Sequence, residues 1–467
     1  MANQYPTLPR NATTPHFRRL LWRCGFSGSD AQIAHYRALG LHGAIENLLA
    51  PKSPAKLTGP APKVSGHPID PINVWGHDTL WWLDRMVRSH NQLEERMTLN
   101  LHDHFATSNS GVGNTRHMLR QNKLLRSHAV GNFLDLVTRL THDPAMLLWL
   151  NGADSNKWAP NENYARELME LFCLGNDPGL EAATFGLWKQ SKVYAQADIH
   201  AAALALTGWR YDWNKASNGN AAQRENTSFY DSSWHSTGSK TIFGHTGKWD
   251  WQDVVRLVVR HPNHAPFLAW KLWSYFIPTP PDADTQAKLE ALYVERGYAI
   301  RPVLEAILLH PDLYAGAPLV KPPAVYQAGL LRARNQPVAT SAWSWLGSNA
   351  GQQLFYPPNV SGWNDQAWLD TSTIRGRWDI AMEVLRKEYV NPSSTYDNTE
   401  TPQTALDRAL EFWGNPSITA ETRQELLRYC AAAIPSGLAS WQQGYLRAQR
   451  QNALRHLIAT SPDFQTS

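Results

Sequence analysis

The 467-residue sequence predicts a mainly α protein: one large multi-helix domain carrying a small β-containing loop insertion. Two observations predict it. Apolar residues recur at steps of three and four through most of the chain, as in Trp82, Met86, Leu93, Met97 and Leu101, the period of a helix face. One segment, Gly208 to Trp251, breaks that pattern with a density of aromatics, Gly, Asn and Ser and with short alternating pieces such as Lys240-Thr241-Ile242-Phe243, which suits a β-hairpin insertion or a long ordered loop.

Taken in order, residues 1–14 read as a flexible arm. Helical patterning starts at Thr14-Pro15-His16, with proline near a helix start, and resumes from Ser29 to Leu49. The Pro-, Lys- and Gly-rich stretch Pro51 to Pro71 is a surface loop. A long helix is expected from about Asp78 to Phe105. Further helices fit Thr115 to Arg126, Gly131 to Leu140, Pro144 to Leu150, Asn163 to Leu174 and Tyr194 to Leu206. After the insertion at about 209–250, helices return at Trp251 to Arg260, Pro266 to Phe276, Thr285 to Gly297, Ile300 to Leu309, Pro322 to Asn335 and Thr373 to Glu388. The core domain is therefore 15–400, with three C-terminal helices in 401–467 packed on it. No repeat of fixed period is visible.

Composition narrows the function. Against 40 Asp+Glu stand 44 Lys+Arg, a net charge of +4 without a long basic run, so nucleic acid is not an expected partner. The 3 cysteines form no C-x-x-C pair, which argues against a disulfide framework or a zinc ribbon. No run reaches membrane-spanning length and the first residues lack a signal-peptide pattern. As written, the chain is expected to be soluble and cytoplasmic.

Polar chemistry concentrates in three places. In Pro160 to Phe172, five charged or amide groups open a helix. At about 100° per residue, Asn163, Glu167 and Glu170 share one face, with Glu162, Arg166 and Met169 on a neighbouring one. Capping by Asn161 or Asn163 accounts for one or two of them, but not for Glu167 and Glu170, flanked by Leu168, Leu171 and Phe172. The second place is Glu95, His102, Asp103 and His104. On a continuous helix His104 joins the apolar side of Met97 and Leu101, about 200° from His102; alone, a core His104 and a surface His102 are the plainer reading. Imidazoles and carboxylates from several helices are also how bundles hold metals, so His102, His104, His128, Glu167 and Glu170 are candidate ligands of a divalent transition metal. The third place is the insertion, where Asp231, His235, Lys240 and His245 are placed to wall a cleft.

The motifs Leu101-His102-Asp103-His104-Phe105-Ala106-Thr107-Ser108, His128-Ala129-Val130-Gly131-Asn132-Phe133, Asp143-Pro144-Ala145-Met146-Leu147, Asn161 to Gly175, Ala205-Leu206-Thr207-Gly208-Trp209 and Pro357-Pro358-Asn359-Val360-Ser361-Gly362-Trp363 follow one another in that order. Together they resemble the bacterial domain-of-unknown-function family 1800, from His16 to Phe464. The resemblance implies little chemistry. It does imply relatives that often look exported and are often encoded beside sulfatase-like proteins, from which this chain departs in lacking a visible signal peptide.

Three classes of function are expected to compete. The first is a hydrolase or lyase of a glycan or other polymer, with Glu162, Glu167, Glu170, His102 and Asp198 catalytic and Trp209, Trp234, His235, Lys240, Trp363 and Arg166 binding substrate. The second is a metal-dependent oxidoreductase on the His and Glu cluster. The third is a non-catalytic partner of a sulfatase-like protein. Perturbed ionisable groups acting together favour an enzyme.

Overall fold

Helix Gln92–His104 lies between two apolar cores, and the other elements are arranged on either side of it. The structure, a computed structural model, describes residues 12–50, 56–175, 194–392, 396–397 and 399–467. Of the expected arm, residues 1–11 lie outside the described residues. The chain is mainly helical, as predicted.

Leu93, Met97 and Leu101 face one core, with Leu20, Leu41, Phe133, Phe172, Ile199, Val254, Leu268 and Leu304. Leu99 faces the other, with Leu80, Trp82, Met118, Leu330, Ile380, Leu406 and Leu454. A helix covered on both sides has little wet face, so most of its polar side chains find their partners within the protein.

We label α1 His77–Arg88, α2 Gln92–His104, α3 Thr115–Ser127, α4 Asn163–Cys173 and α5 His264–Phe276. The single helix expected from Asp78 to Phe105 is α1 and α2. Ser89 takes an extended conformation and the Asn91 side chain caps the Glu94 N–H at 3.4 Å. The apolar period runs through the break because Trp82 and Met86 serve one core while Leu93 and Met97 serve the other. Within α4 the winding changes: Asn163–Glu167 is α-helical and Leu168–Cys173 is a π-helix, in which the Leu174 N–H reaches the Met169 carbonyl at 2.8 Å.

The insertion holds two antiparallel ribbons, Trp209–Tyr211 with Ser228–Tyr230 and Lys240–Ile242 with His245–Gly247. Between the first two strands lie the short helices Trp213–Asn218 and Ala221–Glu225. Elements without a counterpart in the sequence pattern include the ribbon Lys63–Val64 with His67–Pro68 and the helices Asn109–Val112, Pro311–Ala315 and Trp343–Asn349. No helix among the described residues is long and apolar enough to cross a membrane.

The C-terminal helices Pro402–Phe412, Ala420–Ala432 and Ser440–Thr460 follow the predicted trio, and the last packs on Thr371–Leu385 as well as on Pro402–Phe412. Glu400, 2% exposed, ties them together. Its carboxylate accepts from Arg450 Nη2 at 2.9 Å, Arg408 Nη1 at 2.9 Å and Gln451 Nε2 at 3.0 Å. Removing one partner of a buried pair leaves the other charge uncompensated, a cost of about 3–5 kcal/mol. Glu400→Ala should therefore lower the denaturation midpoint by that amount while a surface control, Glu425→Ala, changes it little; equal midpoints would show that this network does not hold the C-terminal helices.

Candidate active site

Two motifs far apart in the sequence meet at the end of α2. Asp103 Oδ1 accepts the backbone N–H of Trp363 at 2.8 Å. That approach requires glycine at 362: its φ is +90°, and a Cβ there would stand 2.3 Å from Asp103 Oδ1 and 2.9 Å from the Asp103 carbonyl oxygen. The same loop carries Phe355 at φ +69°, a left-handed conformation that an aromatic residue adopts only when its surroundings enforce it.

The lock sets the fate of both histidines beside Asp103. His102 is fully buried, with Trp82 at 5.1 Å, Trp363 at 5.6 Å and Phe355 at 5.8 Å between ring centroids. Neither ring nitrogen has a hydrogen-bond partner among the described residues. Burial pushes its pKa down to about 3, so the ring is neutral. His104 donates from Nε2 to the Phe172 carbonyl at 2.9 Å. His264 Nδ1 does the same for the Cys173 carbonyl at 3.0 Å. The two imidazoles thus satisfy carbonyls that the end of α4 leaves open. Burial holds His104 near 3, with Lys271 adding to the depression. With Nε2 donating, Nδ1 is its unprotonated nitrogen.

Asp103 and His104 are half-buried and line a cleft of about 90 Å³ together with Asn100, Leu171, Lys271 and Ser361. Burial pushes the Asp103 carboxyl up to about 6, against the Trp363 N–H and the Lys271 charge, which favour the carboxylate. A carboxyl poised near neutrality beside a cation, with one oxygen fixed by a backbone donor, is suited to giving and taking a proton. Asp103 stands in the sequence between two histidines without being marked as a site residue, and nothing local marks Lys271, which comes from α5.

The other candidate residues belong to separate networks. Glu162 accepts from Gln196 at 2.6 Å, His200 Nδ1 at 3.1 Å and Arg166 at 3.2 Å, and Arg166 reaches on to Glu170 at 3.4 Å. Arg166 thus bridges Glu162 and Glu170. The Glu167 carboxyl is raised by burial and then by the Glu170 charge. Asp198 is a structural anchor: it accepts the Ala195 and Phe243 N–H groups, each at 2.8 Å, pinning the insertion to a helix start. His128 pairs with Asp135 at 2.8 Å. Of the expected set His102, His104, Glu167, Glu170, His128 and Asp198, the Asp103 cleft takes in His104 alone; His102 is enclosed by rings, His128 pairs with Asp135, and Asp198 holds backbone of the insertion. Among the described residues no three His, Cys, Asp or Glu side chains are grouped as metal ligands.

In the insertion, Lys240 is 4% exposed and donates to the carbonyls of Ser236, Gly238 and Trp249 at 2.5, 3.0 and 3.0 Å, so it fixes the loop and lines no cleft wall. His235 bonds the Thr207 carbonyl through Nδ1 at 2.9 Å. Trp209 stacks on His142 at 4.5 Å, and Trp363 is 7% exposed against His102. Trp234 differs: Arg210 lies 3.5 Å over its ring, and Trp158, 71% exposed, stands edge-on 5.9 Å away.

The family model described as "Protein of unknown function (DUF1800)" matches residues 19–466. The chain belongs to the DUF1800 family. No curated protein and no solved structure matches it. The family match covers both motifs that meet at Asp103 and Gly362.

Gly362→Ala adds a Cβ into the Asp103 contact at a positive φ. The expected loss is about 2–4 kcal/mol, the sum of left-handed strain and displaced backbone, read from chemical denaturation beside Gly414→Ala, a positive-φ glycine with open space around it. Equal losses in the two variants would mean that the contact with Asp103 adds nothing to conformational strain.

Proposed function

We propose that this protein is a proton-transfer enzyme of the hydrolase or lyase type, with Asp103 as its acid. The carrying observation is the Asp103 carboxyl, raised to about 6 by burial in a cleft that it shares with Lys271. Below that value Asp103 holds a proton that it can give to a departing oxygen. The carboxylate left behind is stabilised by the Trp363 N–H and the Lys271 charge, so neither has to move during the step. His104, tied to Phe172, holds the wall of the cleft in place and takes no proton at ordinary pH.

A cleft of about 90 Å³ admits a leaving oxygen and several waters, each needing about 10–15 Å³ of such space. A sugar ring would lie across its mouth. A polymeric, glycan-like substrate is the reading we attach to the enzyme on a second observation: the exposed ring of Trp158 beside the Arg210-covered Trp234 is a surface where a pyranose face and a polar substituent are both met.

The test is release of reducing ends from a panel of neutral and acidic polysaccharides. Wild type should release them with a rate that falls as pH rises through about 6, since the protonated acid is lost. Asp103→Asn should lower kcat by about 10²-fold or more with little change in KM, and Trp158→Ala should raise KM while sparing kcat. A turnover unchanged in Asp103→Asn would remove Asp103 from the chemistry, and no release from any polymer would remove the glycan reading.

A further inference from the structure

A second cavity, sharing no lining residue with the Asp103 cleft, lies where the first helix, Thr14–Cys24, meets the chain near residues 411–419 and 463–467. Its volume is about 600 Å³, within the range of small-molecule sites. Trp22, Tyr314, Phe412, Trp413 and Phe464 supply apolar wall.

The charges around it are unequal in a way that structure alone does not require. Arg18 is paired with Asp30 at 3.0 Å and Arg334 with Glu388 at 3.4 Å. The acidic Asp463 accepts from Thr419, and Glu411 stands on an exposed rim. Among the described residues Arg19 is met by the carbonyls of Gly316 and Ala317, at 2.6 and 3.0 Å. Lys321, 4% exposed, also lines the cavity. Its ammonium donates once, to the Phe464 carbonyl at 2.6 Å, and sits 3.8 Å from the Trp22 ring centroid and 4.7 Å from that of Phe464. An ammonium has three donors, so two have no hydrogen-bond partner among the described residues. The charges acting on it are themselves cationic, Arg377 and Arg23. Burial first, then the Arg377 and Arg23 charges, push the Lys321 pKa well down, so this group keeps its proton where an anion lies against it.

We propose that this cavity binds an amphipathic anion, a carboxylate or sulfate head set against Lys321 and Arg19 with an apolar body along Trp22, Phe464 and Trp413. Aromatic walls take up the body, and a dehydrated ammonium selects the sign of the head.

The experiment is calorimetric titration of the full chain with decanoate, decyl sulfate and decyltrimethylammonium, each below its micelle concentration. Decanoate and decyl sulfate should each saturate at one per chain, and decyltrimethylammonium should not bind. Decyl sulfate alone binding would assign the site to sulfate-type heads, and decanoate alone to carboxylates. Lys321→Met, which keeps the stem over Trp22, should weaken binding at least tenfold; if that variant does not fold, Arg19→Gln should weaken it in the same direction. Equal binding of the cationic amphiphile, absence of saturable binding by either anion, or wild-type affinity in the folded variants would overturn the proposal.

Discussion

The contact between Asp103 and the Gly362-Trp363 backbone is the constraint on which the centre of this molecule depends. It joins the end of a helix that separates two cores to a loop some 260 positions further on, and it works only without a side chain at 362. From it follow the placement of Trp363 on His102, the enclosure of His102 by three rings, and the burial that raises the Asp103 carboxyl. The lock that gives local rigidity also sets the acid's proton affinity, because the contact that excludes water from the carboxyl is the same one that supplies its backbone donor.

A helix with two dry faces explains why so many polar side chains of α2 act within the protein. Glu95 is fully buried and accepts from Arg126 at 2.7 and 2.9 Å and from Arg85 at 3.0 Å. Burial alone would raise its pKa; the two guanidiniums outweigh that and hold it below the usual carboxylate range. His104 closes the end of α4. Asp103 is the member of this set whose carboxyl lines a cleft, and there burial wins over its partners. Lys321 shows the mirror case, in which burial pushes an ammonium down.

Helix positions were legible because the apolar period survives in nearly every element, and the insertion was legible because that period stops at Gly208. The division at Ser89 was hidden, since one apolar stripe serves two cores in turn. The π-winding of α4 was hidden too. Reading His102 as the wetter imidazole assumed that α2 has a solvent face. Asp198, Lys240 and His235 are hard to read for a related reason: each answers backbone groups 2 to 45 residues away, and a side chain that ties down a loop carries the same letters as one that lines a cleft. A glycine before Trp363 is open in the sequence to any tight turn, and the fold shows that Asp103 is what this one approaches.

The central claim is that burial holds the Asp103 carboxyl protonated to an unusually high pH in the folded protein. Its most direct test is titration of the side-chain carboxyl carbon by NMR, using carbon-13-labelled aspartate and assigning Asp103 by its loss in Asp103→Asn. The account predicts a midpoint near 6. A midpoint at or below about 4, the value of an exposed aspartate, would contradict it.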